Sequence, residues 1–156
     1  MRMTTSTMMG FVEWAGKADL TRTGDPLWSV QAYRLGLYAI ECLTFDRQVN
    51  TQLNKAAALD QLTRAVGSVS ANIAEGYSRS SLADRNRFYG YALGSTREAI
   101  AWYDAVRIEL GERVDDRQAT LIQVRRLLLT TLRKTRPDGA SAIFRDSAPK
   151  SPKPED

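Results

Sequence analysis

Leu59, Leu62, Val66, Val69 and Ile73 recur three and four residues apart in the middle of the chain. That alternation puts all five on one line of an α-helix, and an apolar line of that length must be covered by another helix. The same period returns elsewhere. Trp28, Leu35, Ala39 and Cys42 form a stripe flanked by Val30, Tyr33, Leu37, Ile40 and Thr44, and Leu121, Val124, Leu128 and Leu132 form another. Further along, two stripes adjoin: Phe88, Ala92, Ser95, Ala99, Trp102 and Val106 lie beside Tyr89, Leu93, Thr96, Ile100, Tyr103 and Leu110. A face that wide predicts more than one packing partner. No alternating strand pattern competes with these helices.

The breaks between stripes carry helix stop and start signals. Asp25-Pro26 reads as an N-cap followed by proline at the first helical position, where its missing N–H costs nothing, so a helix is predicted from there to about Arg47. The second helix is predicted from Asn54 to Glu75, with Gly76 as a left-handed residue closing it. Its Ala58, Ala65, Ser68 and Ala71 would let a neighbouring backbone come close. Ser81-Leu82-Ala83-Asp84 reads as a capping box for a third helix that runs to about Leu110 and stops at Gly111. A fourth follows Val114-Asp115-Asp116 and ends before Pro137. Four helices of roughly 20–30 residues with short connections predict an all-α fold, an antiparallel up-down-up-down four-helix bundle. The bundle would occupy residues 25–136. Residues 1–24 show no sustained period and read as a mobile N-terminal arm with at most one short element. Residues 137–156, with Pro149, Pro152 and Pro154, read as a disordered tail.

Composition narrows the chemistry. A chain of 156 residues fits one domain with a real core. It contains no histidine, which removes Ser-His and Cys-His nucleophilic pairs, the usual general base near neutral pH, and the Glu-x-x-His ligands of bundle di-iron sites. The lone Cys42 cannot form an internal disulfide or a cysteine zinc cluster, and its place on an apolar stripe predicts a small core residue. A non-enzymatic protein without metal or cofactor is expected. Cysteine scarcity agrees with a reducing cytoplasm, no stretch approaches the roughly 20 apolar residues of a membrane span, and the amino end shows no signal-peptide pattern.

The net charge is +4, and 17 of the 22 basic residues are arginine, whose planar fork suits phosphate or carboxylate. Arg117, Arg125, Arg126, Arg133, Lys134 and Arg136 fall in one stretch without an acidic residue. At 100° per residue, Arg125, Arg126, Arg133 and Arg136 share an arc of roughly 100°, and Ile122 and Leu129 lie inside it. Apolar residues within a basic face point to a helix that packs inward on its own bundle and sideways on another subunit, which makes Ile122 and Leu129 candidate oligomer contacts. Assembly would then concentrate arginines for a phosphate backbone. The plainer alternative is that these arginines keep an ordinary helix soluble. A second group, Arg79, Arg85 and Arg87, sits between helices two and three beside Tyr77, Ser78 and Ser80. It can hold phosphate with its side chains and the N–H groups of the helix start, or Arg85 and Arg87 can pair with Asp84 or with another helix. Asn72, Glu75, Ser95 and Glu98 read better as structural polar residues than as a carboxylate site, with Asn72 and Glu75 pairing across the interface of helices two and three. Trp28 and Trp102 read as core, whereas Tyr77 and Tyr91 are candidate surface contacts.

Two stretches carry a specific likeness. Ser68 to Gly76 reads SVSANIAEG, and Phe88 to Glu98 reads FYGYALGSTRE. They resemble the four-helix-bundle proteins encoded in intervening sequences of large-subunit ribosomal RNA genes, in which the first stretch closes the second helix and the second carries F-x-x-x-A-L-G-S. Ser70 stands where that family usually has proline. The resemblance spans Trp28 to Lys134 in layout and implies a four-helix bundle. Accessory proteins of diversity-generating retroelements resemble this family in fold. That likeness implies a basic homo-oligomer, a pentamer, that binds RNA and a reverse transcriptase. The function expected is therefore a basic oligomeric scaffold for RNA or a reverse-transcriptase-like partner. The competing expectation is a protein-only interaction module whose arginines serve subunit assembly or an acidic protein.

Overall fold

A computed structural model describes residues 8–49 and 56–135. Among these, the chain forms α1 (Phe11–Gly16), α2 (Leu20–Thr23), a 3-10 turn (Pro26–Ser29), α3 (Gln31–Val49), α4 (Ala56–Tyr77), α5 (Leu82–Ala105), α6 (Arg107–Leu110) and α7 (Arg113–Lys134). All are helical, and no strand occurs among the described residues. Asn54, Arg136 and the predicted tail lie outside them.

Local signals account for most of the ends, with four differences from the sequence expectation, one being that the last long helix starts at Arg113 and contains Val114-Asp115-Asp116 instead of following them. Asp25 does cap, accepting from Leu27 N–H at 2.8 Å, but the turn it starts is the 3-10 helix. The Ser29 hydroxyl closes onto the Pro26 carbonyl at 2.7 Å, Val30 is extended, and the long helix starts only at Gln31. Gly76 is not a left-handed terminator. It lies inside α4, and among the described residues the glycine with positive φ is Gly111, at 60°, just after α6. Gly76 is needed for space, because a Cβ there would come within 2.8 Å of the Tyr89 ring. The predicted third helix is broken at Val106 (φ −107°, ψ 14°), and the short α6 carries the chain to Gly111. Ser81 behaves as expected: its hydroxyl accepts from Asp84 N–H at the start of α5.

Each long helix packs on two others: α3 on α4 and α7, and α5 on α4 and α7. The seam residues Leu62, Val66, Val69 and Ile73 are buried almost completely, each contributing about 1.5–3 kcal/mol. The core has two layers. One contains Leu43, Leu62, Val66, Ala99, Tyr103 and Leu121, and the other Leu35, Val69, Ile73, Tyr89, Val124 and Leu128. α3 and α4 lie close where Gly36 meets Ser70, the residue found in place of the family's proline: a Cβ at Gly36 would come within 3.2 Å of the Ser70 Cβ.

The segment expected to be a mobile arm forms α1 and α2 over its described residues. Phe11 and Trp14 lie against the Tyr38 ring, Trp14 also meets Trp28, and the Tyr38 hydroxyl donates to the Met9 carbonyl at 2.8 Å.

Candidate nucleic-acid interface

Along α7, Arg126, Arg133 and Lys134 are exposed and Arg125 is half-buried. None of them pairs with a carboxylate among the described residues. Arg133 and Lys134 occupy the last turn, where the helix dipole favours positive charge. Ile122 and Leu129 are half-buried, and Leu129 packs against the core layer around Val124, so that packing accounts for an apolar residue inside the basic arc within a single chain. Arg117 belongs to a different environment. It is buried, donating from Nε and Nη2 to the two carboxylate oxygens of Asp46 at 2.9 and 2.8 Å, and its charge is thereby cancelled.

The second group is organised around one ring. Arg79 lies 4.9 Å from the Phe88 centroid and Arg87 lies 5.5 Å from it, so two guanidinium groups hold the same phenyl ring. Arg79 also pairs with Glu75, Arg87 pairs with Asp84 at 3.1 Å, and Arg85 donates to the Arg79 carbonyl at 3.1 Å. Tyr91 meets the Phe88 ring edge-on at 5.7 Å. Asp84 and the Ser81 cap already serve the positive end of α5, so the side chains rather than the helix start offer the contacts here.

Tertiary packing joins the two groups. Thr135, one residue beyond α7, donates its hydroxyl to Asn86 Oδ1 at 2.8 Å, and Asn86 Nδ2 donates to the Thr135 carbonyl at 3.3 Å. Arg85 and Arg87 flank Asn86, and Arg133 and Lys134 directly precede Thr135, so all four lie at one end of the molecule. The core layer around Val69 and Val124 marks the half of the molecule containing that end. This half carries Arg34, Arg79, Arg85, Arg87, Arg125, Arg126, Arg133 and Lys134 against only Glu75 and Asp84, among the described residues of α3 to α7. The opposite half is acidic: Glu41, Asp46, Asp60, Glu98, Asp104, Glu109, Glu112, Asp115 and Asp116 outnumber Arg47, Arg64, Arg97, Arg107, Arg113 and Arg117. There Arg107 bridges Asp104 and Asp115, and hydrogen bonds from Gln118 and Arg107 hold the Asp104 carboxyl below the ordinary carboxylate range.

The four residues expected to be structural polar groups do not bridge α4 and α5 by any hydrogen bond among the described residues. Asn72 donates to the Ser68 carbonyl of its own helix at 2.8 Å, Glu75 pairs with Arg79 one turn on, Glu98 accepts from Trp102 at 3.3 Å, and Ser95 is half-buried. An α-helix places such residues beside their own i+4 neighbours first. Cross-helix pairing is made instead by Asp46 and Arg117, 71 residues apart, which periodicity could not reveal because each looks like an ordinary charge near a helix end. Around that pair sit Cys42, Tyr38 and Tyr103. The Tyr103 hydroxyl is buried without a partner among the described residues. Burial pushes the Cys42 thiol up and the Tyr38 phenol up to about 12.

No described helix is long and apolar enough to cross a membrane. No curated protein matches the chain. A crystal structure of a protein of unknown function from the S23 ribosomal protein family of Bacteroides thetaiotaomicron superimposes with a TM-score of 0.59 at 18% identity, covering 65% of this chain and 97% of that one. At that identity the likeness is one of fold. The family model for 23S rRNA-intervening sequence proteins matches residues 33–126, more than half of the chain and most of the four long helices. The chain is thus a member of the 23S rRNA-intervening sequence protein family.

Proposed function

We propose that this protein is a non-enzymatic basic scaffold that binds nucleic acid, RNA foremost, through the end of the molecule where α5 and α7 meet. In this reading the four long helices form an antiparallel up-down-up-down bundle. Contacts of Arg47 with Thr63, Gly76 with Tyr89, Asn86 with Thr135 and Asp46 with Arg117, each joining the end of one helix to the start of another, support that arrangement. The observation that carries the functional reading is the Asn86–Thr135 junction, which merges two basic groups into one surface with few carboxylates nearby. Phosphates neutralised by Arg125, Arg126, Arg133 and Lys134 would release counterions, and binding would weaken steeply with salt. Assembly of several copies, five by the resemblance in fold, would multiply the +4 charge of each chain. A reverse-transcriptase-like partner would dock on the assembled scaffold.

Anisotropy titrations of a labelled RNA oligomer across a range of salt test the electrostatic core of the proposal. The slope of log affinity against log salt should fall by about one for each phosphate-contacting arginine changed to alanine, Arg126→Ala and Arg133→Ala being the first to make. Salt-insensitive binding would remove the mechanism. Size-exclusion chromatography with light scattering, before and after nuclease, reads the assembly. A nuclease-insensitive oligomer free of nucleic acid would leave the arginines serving subunit contacts or an acidic protein, and a lone 17.4 kDa protomer would remove the scaffold.

A further inference from the structure

We infer that the nucleic acid held at this end is an unpaired strand, whose bases stack on Tyr91 and Tyr77; the inference rests on the nucleic-acid reading above and deepens it. Among the described residues, the exposed large apolar side chains include two aromatic ones, Tyr77 at 37% and Tyr91 at 54% exposure. Both lie in the basic half: Tyr91 is edge-on to the Phe88 ring that Arg79 and Arg87 cover, and Tyr77 stands two residues before Arg79. Every other described tryptophan, tyrosine and phenylalanine is buried or half-buried. A tyrosine ring offers a flat apolar face with a polar tip, and two such rings on a basic surface are suited to stacking against bases. Phosphate attraction alone gives no reason for rings to sit there, and a paired duplex keeps its base faces stacked internally. An unpaired strand has both a phosphate chain for the arginines and free base faces for the tyrosines.

The arginines are arranged for the same chemistry. Arg79 and Arg87 are held over Phe88 and tied by Glu75 and Asp84, so their planar groups are already ordered before a ligand arrives. An ordered guanidinium loses little freedom on binding and can itself serve as a stacking surface. Tyr91, edge-on to Phe88, stands one helical turn along α5 from Arg87, a spacing that suits successive nucleotides of one strand.

The test compares an unstructured RNA of about 12 nucleotides with the same strand annealed to its complement, at one salt concentration and with the full chain. Single strand should bind at least about tenfold more tightly, Tyr91→Ala should lose about tenfold for the single strand and leave the duplex unchanged, and Tyr91→Phe should restore binding. Tyr91 is exposed, so a thermal melt should show the alanine variant folded. Equal binding of the two forms, or an equal loss for both in Tyr91→Ala, would overturn the inference while leaving the phosphate-based function standing. A changed oligomer mass in Tyr91→Ala would overturn it in favour of a subunit contact. Failure of either form to bind even at low salt would sink the functional reading itself.

Discussion

Asp46 is fully buried, and among the described residues its carboxylate is met by the two-pronged contact with Arg117. A carboxylate of that kind is stable where its partner remains and very costly where it does not. Asp46→Ala leaves the Arg117 guanidinium buried and unpaired, and chemical denaturation should show a loss of about 3–5 kcal/mol. A loss under about 1 kcal/mol would mean that water reaches Arg117 and the pair is not sealed. Tyr38 gives a pH prediction at the same scale. Its folded pKa, about 12, is raised above the ordinary 10.0 mainly by burial, so its contribution is complete below pH 10 and is lost as pH rises toward 12. Alkaline unfolding followed by circular dichroism should therefore be less steep across that window in Tyr38→Phe; identical profiles would show that the phenol titrates alike in the folded and unfolded chain.

At the scale of elements, two glycines in long helices make opposite predictions. Gly76 of α4 faces the Tyr89 ring, and Gly76→Ala forces a clash that outweighs the gain in helix propensity, lowering stability by about 1–3 kcal/mol. Gly94 of α5 has nothing within 4 Å of an added Cβ, so Gly94→Ala should raise stability by about 0.5–1 kcal/mol. Melting temperatures of the two variants check the pair, and a rise for Gly76→Ala would refute the close approach of α4 to α5. The elements were the most legible part of the chain. The seam from Leu59 to Ile73 and the stripe Leu121, Val124 and Leu128 are buried as their spacing implied, since a helical period is a local property. Helix ends were less legible. The delay of the first long helix to Gln31 and the break at Val106 left no mark on the apolar period, which runs through Trp28 and Val106 without interruption.

At the scale of the whole molecule, the described residues of α3 to α7 are mostly basic in one half and mostly acidic in the other, so a polyanion should be drawn to one end and repelled from the other. Glu112→Gln with Asp116→Asn, both at exposed positions of the acidic half, should therefore tighten the proposed RNA binding at low ionic strength, where charges are felt over roughly 30 Å. Above physiological salt, where screening acts within about 8 Å, the gain should vanish. Anisotropy titrations at two salt concentrations read it, and a gain that persists in high salt would point to direct contact rather than a field. The candidate site was only half legible. Arg125, Arg126, Arg133 and Lys134 stood out as one stretch and Arg79, Arg85 and Arg87 as another, but nothing in the linear order says that they meet.

The sequence by itself determined the bodies of the long helices and which of their faces are apolar, because both follow from side chains within a turn or two of each other. It also determined the absence of histidine chemistry. Packing alone decided which charges survive as usable charge. Arg117 looked like part of the basic stretch and is cancelled by Asp46, whereas Arg133 and Lys134 gain Arg85 and Arg87 as neighbours through Thr135 and Asn86, 49 residues apart. A charge acts through what lies within a few ångströms of it, and across helices those distances are set by the register in which the apolar faces lock together.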